Sequence, residues 1–177
     1  RFLHDGLAEA IKYGCIKDAA LFAKIAGYAD DAALLADIDS VVATCCAIKA
    51  RIVEQDEFDT GLRMLLNFGH TLGHAVEQHF GYSCFTHGEG VAIGMYQLTK
   101  RTEELGMTAK GSAERIKSVL EKYNLPLTAG VEKAQLLDTM ARDKKKNGNS
   151  ITLIILQQIG EGVLQKVDWQ EVPKYLG

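Results

Sequence analysis

Four of the chain's five histidines fall between Asp59 and Glu89, and no other stretch limits the fold so strongly. Read as a helix from Asp59 to His79, turned by about 100° per residue, it puts Asp59, Arg63, Asn67, His70 and His74 on one narrow stripe. Met64, Leu65, Phe68, Leu72 and Val76 take the opposite side. Gly69 and Gly73, four residues apart, flank the stripe and leave room for a neighbouring backbone. Solvated helix faces are usually rich in Lys and Glu, and this stripe contains neither. Its Arg, Asn and paired His are side chains that bind anions and metals. His70 and His74 at i, i+4 can aim at one point. His87 follows after the turn-rich FGYSCFT, so the pattern points to a metal site completed across a turn, although it matches no zinc motif literally.

The rest of the chain reads as mainly α, a multi-helix unit with a small C-terminal β-hairpin. Helical periodicity covers residues 4–24 and 30–37. A longer helix is capped by Asp39 or Ser40 and runs to about Val53, with Val41, Val42, Cys45, Ile48 and Ile52 as its apolar stripe. QDEFDTG breaks the pattern; Asp56 can serve as N-cap, with Asp59 at the capping-box position. Further helices are expected from His87 to Gly106, over 111–123 (closed by Asn124 ahead of Pro126) and over 132–142. DKKKNGNS reads as a polar turn. ITLIIL is a β-branched strand, and GEGVLQKV returns beside it.

The 177 residues are enough for one domain, 1–177, with a full core. Hydrophobic residues make up 47% and charged ones 24%, as in soluble globular chains. A net charge of −3 supplies no global field for nucleic acid or an anionic membrane, so small molecules are the expected partners. No signal peptide or transmembrane stretch is visible, which suggests a cytoplasmic protein. Cys15, Cys45, Cys46 and Cys84 lack CxxC spacing and read as buried reduced thiols, with Cys84 a minor candidate ligand. The abrupt start at RFLHDG, without Met, suggests a fragment.

Two charged features have ordinary readings. Glu9 and Lys12 at i, i+3 form what is most often a solvated ion pair. Lys49 near a helix C-terminus suits the helix dipole. Glu89 either orients a histidine or favours the start of its helix.

Four ordered motifs then carry a resemblance: GLAEAIKYG, KARIVEQDEFDTGLRMLLNFGH, GHTLGHAVE with HGEGVAIGM, and DKKKNGNSITLIILQQIG. Together they resemble 3-dehydroquinate synthase over almost the whole chain, entering that family midway. The resemblance makes Glu9, His70 and His87 metal ligands. It makes Lys12, Lys49 and Lys144 or Lys145 substrate contacts; Arg63 and Asn67, on the His70 stripe, read from their own chemistry as an anion pocket for substrate phosphate or carboxylate. His74, not needed as a fourth ligand, is left as an acid/base or as a polar contact near the metal. Asp59 stands where the family has Glu, a position regarded as a proton acceptor, and is one methylene shorter. Two imidazoles and a carboxylate with an open position suit catalytic Zn2+, or Co2+ or another divalent ion.

The family's reaction, as the resemblance implies it, converts 3-deoxy-D-arabino-heptulosonate 7-phosphate to 3-dehydroquinate and phosphate in the shikimate pathway. It proceeds through transient oxidation by bound NAD+, phosphate elimination and aldol closure. The chain shows no GxGxxG and no strand–helix alternation. The NAD-binding α/β domain is therefore expected outside it, with the family's homodimer formed by the full-length protein and this part inactive by itself. A related sugar-phosphate cyclase, such as 2-deoxy-scyllo-inosose synthase, is the alternative; a non-catalytic helical metal-binding module is the third reading.

Overall fold

The computed structural model describes residues 1–56 and 61–176, and residues 142–147 by their backbone alone. Helix α1 (Phe2–Lys17) ends where Asp18 leaves helical geometry, at φ −147° and ψ 89°. Asp18 Oδ1 accepts the Leu21 N–H at 2.9 Å and starts α2 (Ala19–Gly27). The single helix expected over 4–24 is thus two, because a side chain that satisfies an orphan N–H favours a new start. Asp30 caps α3 (Asp31–Ala36) in the same way. Helix α4 (Ile38–Gln55) begins after Asp37, ahead of the expected Asp39 or Ser40. Asp37 gives it no side-chain cap: its carboxylate is taken by the Tyr28 hydroxyl and Lys24, each at 2.7 Å.

The long helix expected from Asp59 to His79 is not continuous. A 3-10 helix (Leu62–Asn67) precedes α5 (His70–His79), and the two are separated at Phe68 and at Gly69, whose φ is +79°. Asp56 does serve as a cap, but of the 3-10 turn: its Oδ2 accepts the N–H of Gly61 at 2.7 Å and of Arg63 at 2.9 Å. Asp59 lies outside the described residues. Helix α6 (His87–Glu104) opens with a capping box, Thr86 accepting the Glu89 N–H and Glu89 accepting the Thr86 N–H. This is the fate of Glu89, which also meets Arg1 at 2.8 Å and does not orient a histidine.

Helix α7 (Ser112–Lys122) is followed by Asn124 at φ +52°, and α8 (Lys133–Asn147) runs on through the stretch expected as a polar turn. Lys144 and Lys145 are therefore helical; their side chains lie outside the description. Gly148, at φ +80°, ends the helix. Strands β1 (Ser150–Gln158) and β2 (Glu161–Asp168) form the expected antiparallel hairpin, Ser150 opposite Asp168. A short 3-10 helix (Val172–Tyr175) follows.

Leu153 to Leu156 are all buried, which explains the unbroken apolar run of β1. Ile154 and Leu156 join the main core with Ile11 and Ile16 of α1, Met95 of α6 and Leu120 of α7. Leu153 and Ile155 join Leu72, Leu98 and Met140 in a second cluster. Each such side chain contributes roughly 1.5–3 kcal/mol by leaving water. The close approach expected at the glycines is real: a Cβ on Gly73 would lie 2.8 Å from the Gly90 carbonyl. That seam lets α5 and α6 run nearly backbone to backbone, which brings their histidines together.

All four cysteines are free. Cys15 is buried as expected, whereas Cys45 of α4 is half-buried against the core, Cys46 beside it is exposed, and Cys84, between α5 and α6, is exposed as well. Among the described residues no helix is long and apolar enough to cross a membrane.

Candidate metal centre

Three elements place one candidate ligand each. Glu9 comes from the middle of α1, His70 from the first position of α5 and His87 from the first position of α6. Helix α6 is fixed at its start by the capping box and by Asp5 Oδ1, which accepts the Gly88 N–H at 2.7 Å. His70 is fixed by the left-handed turn at Gly69 before it.

Glu9 Oε1 lies 3.4 Å from His70 Nε2 and 3.7 Å from His87 Nε2. The three donor atoms sit within 4.8 Å of one another. Donors about 2.0–2.1 Å from a tetrahedral zinc stand roughly 3.3–3.4 Å apart, so the spacing fits. The protonation pattern fits as well. His70 Nδ1 is 3.1 Å from the Phe68 carbonyl oxygen, and His87 Nδ1 is 3.3 Å from Glu77 Oε1. Both partners are acceptors, so a neutral ring that donates to them from Nδ1 would turn its Nε2 lone pair toward Glu9. Glu9 Oε1 is itself buried with no hydrogen-bond donor. A carboxylate oxygen facing two lone pairs is an arrangement that a cation resolves.

Lys12 closes the other side of Glu9, donating to Oε2 at 2.5 Å. It is only 2% exposed, so this pair is not the solvated surface pair its spacing suggests. Burial pushes the Lys12 ammonium below its ordinary value; Glu9 opposes that shift and Lys49 adds to it. Lys49 lines a groove with Glu9 and Tyr13, on the Lys12 side of the centre. Burial likewise pushes His70 down to about 4, helped by the Lys12 charge. The imidazole is therefore neutral, and competent as a ligand, at neutral pH.

His74 stands one turn along α5, its ring 5.5 Å from that of His70 and 5.9 Å from that of His87. Asn67, His70 and His74 line a cavity of about 480 Å³ whose far wall is Ser150 and Thr152 of β1 and Trp169. Met64, expected on the opposite side, lines the same cavity, because the 3-10 turn winds it round. Arg63 is half-buried on that turn, its backbone held by Asp56. A second group whose donor atoms lie within 4.8 Å of one another is His74, Glu77 and His87; among the described residues neither group includes Cys84.

Sequence reasoning missed two contributors. Glu77 is buried on α5 and meets both His87 and, at 4.0 Å, His74. The signal was present in HTLGHAVE, where Glu77 follows His74 by three residues on one helix face. The hairpin wall carried no local signal, since its residues reach the cavity only through the tertiary fold.

The family profile described as "3-dehydroquinate synthase C-terminal" matches residues 6–146. A 3-dehydroquinate synthase of Clostridium acetobutylicum is 48% identical over 177 residues, covering 99% of this chain and 50% of the relative. One from Clostridium beijerinckii is 46% identical over 169 residues, 95% of this chain and 48% of the relative. The chain spans about half the length of the curated relatives it matches. Among solved structures, a 2-epi-5-epi-valiolone synthase from Streptomyces hygroscopicus, with NAD+ and Zn2+ bound, superposes at a TM-score of 0.80. It shows 23% identity, and the match covers 98% of this chain and 49% of that one. A 2-deoxy-scyllo-inosose synthase complexed with carbaglucose-6-phosphate, NAD+ and Co2+ gives 0.76 at 17% identity, covering 98% and 50%. Profile, relatives and fold agree along the chain, which belongs to the 3-dehydroquinate synthase C-terminal family.

Proposed function

We propose that residues 1–177 form the metal- and substrate-binding part of a 3-dehydroquinate synthase, converting 3-deoxy-D-arabino-heptulosonate 7-phosphate to 3-dehydroquinate and phosphate. The observation that carries this is the unpartnered Glu9 Oε1 facing the Nε2 atoms of His70 and His87. The relatives named above support the choice of reaction. The NAD+ and Zn2+ or Co2+ of the fold neighbours support the cofactors. In that reading NAD+ is held mainly by a further α/β domain of the full-length protein, which is a homodimer. The four free thiols support a reducing, cytoplasmic setting.

Glu9, His70 and His87 would hold the divalent ion, which supplies Lewis-acid polarisation of substrate oxygens when bound. The chain's own groups do the rest. Lys12, set against Glu9, and Lys49 present cationic donors beside the centre. Arg63 and Asn67 precede His70 and suit phosphate or carboxylate oxygens. His74, open to the cavity, is placed to accept or return a proton on the substrate. Asp59 and one of Lys144 and Lys145 complete the set.

The test is metal content and turnover of the full-length protein. One equivalent of Zn2+ per chain, lost in Glu9→Gln, His70→Ala and His87→Ala together with formation of 3-dehydroquinate, is the expected result. Retained metal in any of the three variants refutes the ligand assignment. Formation of an inosose-type product instead would place the protein with the related cyclases.

A further inference from the structure

Glu77 is a buried acid that the proposed reaction does not use. It is 7% exposed, and among the described residues its polar side-chain partners are two imidazoles. One carboxylate oxygen stands 3.3 Å from His87 Nδ1; the other stands 4.0 Å from His74 Nε2. A carboxylate buried this deeply is costly unless its charge is met by donors. The half-exposed His87 ring meets it through Nδ1. Glu77 Cγ lies 3.3 Å from where a Cβ of Gly90 would stand, so the glycine at 90 makes room for the Glu77 side chain. Glu89, the other acid near His87, is committed to the capping box and to Arg1.

We propose that Glu77 is a positioning residue of the metal centre: it fixes the His87 ring with its proton on Nδ1, so that Nε2 is offered to the metal beside Glu9 and His70. The proposal rests on the reading of those three residues as ligands. A carboxylate hydrogen-bonded to the far nitrogen of a ligating histidine locks the ring's orientation and raises its basicity. Its second oxygen faces His74. The acid thus ties a metal ligand to the candidate acid/base, and a change at Glu77 reaches both.

The test uses Co2+ as probe on the full-length protein, with 15N spectra of the histidine rings. In the metal-free wild type, His87 shows the tautomer protonated at Nδ1. Glu77→Met, of similar size but without an acceptor, loses that tautomer and raises the Co2+ dissociation constant 10- to 100-fold. Glu77→Gln, which keeps an acceptor oxygen, recovers part of the loss. A packing role alone predicts Co2+ binding by Glu77→Met within threefold of wild type, and that result overturns the proposal. So does a wild-type His87 protonated at Nε2, a measurement that stands even where Glu77→Met does not fold. A second equivalent of Co2+ held by wild type and lost in Glu77→Met would make the His74–Glu77–His87 cluster a cation site itself, again overturning it. Absence of Co2+ binding in the wild type refutes the ligand reading instead, while the tautomer still decides the role of Glu77.

Discussion

The backbone of Gly94 lies against the carbonyl of Gly69, so close that a Cβ at 94 would overlap that oxygen. Gly69 immediately precedes His70, so the contact ties the spacing of α5 and α6 to the position of a candidate ligand. Gly94→Ala must push the two helices apart. Its expected cost is about 1–3 kcal/mol, as for other overpacked sites, with a weaker metal site as the second effect. Urea unfolding and a Co2+ titration of the same variant check both; a wild-type midpoint would show that the seam has slack.

Lys12 is the second test. Its charge is buried against Glu9, so removing either partner alone strands the other. Glu9 is part-exposed, and we expect Glu9→Gln and Lys12→Met each to cost roughly 1–3 kcal/mol in the metal-free protein. The double variant should cost less than their sum by about 1 kcal/mol or more. Additive losses in a double-mutant cycle would show that the pair is not coupled.

Acid should unfold the metal-free protein through His70. Its folded value, about 4, lies below its ordinary 6.5, so the unfolded chain takes up the proton first. The stability this group contributes is complete above about 6.5 and is lost as pH falls toward about 4. Unfolding midpoints at pH 7.5, 5.5 and 4.5 should fall steeply for wild type and more gently for His70→Gln. Equal slopes would exclude His70 as the source.

Thr86 holds the start of the helix that carries His87. Thr86→Ala removes the acceptor for the Glu89 N–H and is expected to cost about 1 kcal/mol. Because His87 is the first residue of that helix, fraying there should also weaken Co2+ binding. Thr86→Ser, which keeps the hydroxyl, should restore both; failure to do so would mean that the Thr86 methyl group, not its hydroxyl, is what matters.

Much of the site was legible because it is built from short-range patterns. GHTLGH places two imidazoles one helical turn apart, and AEAIK places Glu9 beside Lys12, whatever surrounds them. The glycines at 69 and 73 announced a close neighbour without naming it. The break between Asn67 and His70 was not legible, because the apolar positions keep a helical spacing straight through it. Nor was the helix over DKKK, whose charges read as a loop. Glu89 and Glu77 show the same limit: both stand near a histidine in sequence, and only folding shows that Thr86 and Arg1 claim the first while His87 claims the second.

The sequence by itself determined the family, the mainly helical class with its terminal hairpin, and the residue types able to hold a metal. These depend on local periodicity and on motifs read along the chain. Tertiary structure alone decided that Lys12 is buried, that Glu9 Oε1 is left without a donor, and that Nε2 of His70 and of His87 converge upon it. Those facts arise from three helices packed at one seam, and burial there disfavours the charged forms of Lys12 and His70.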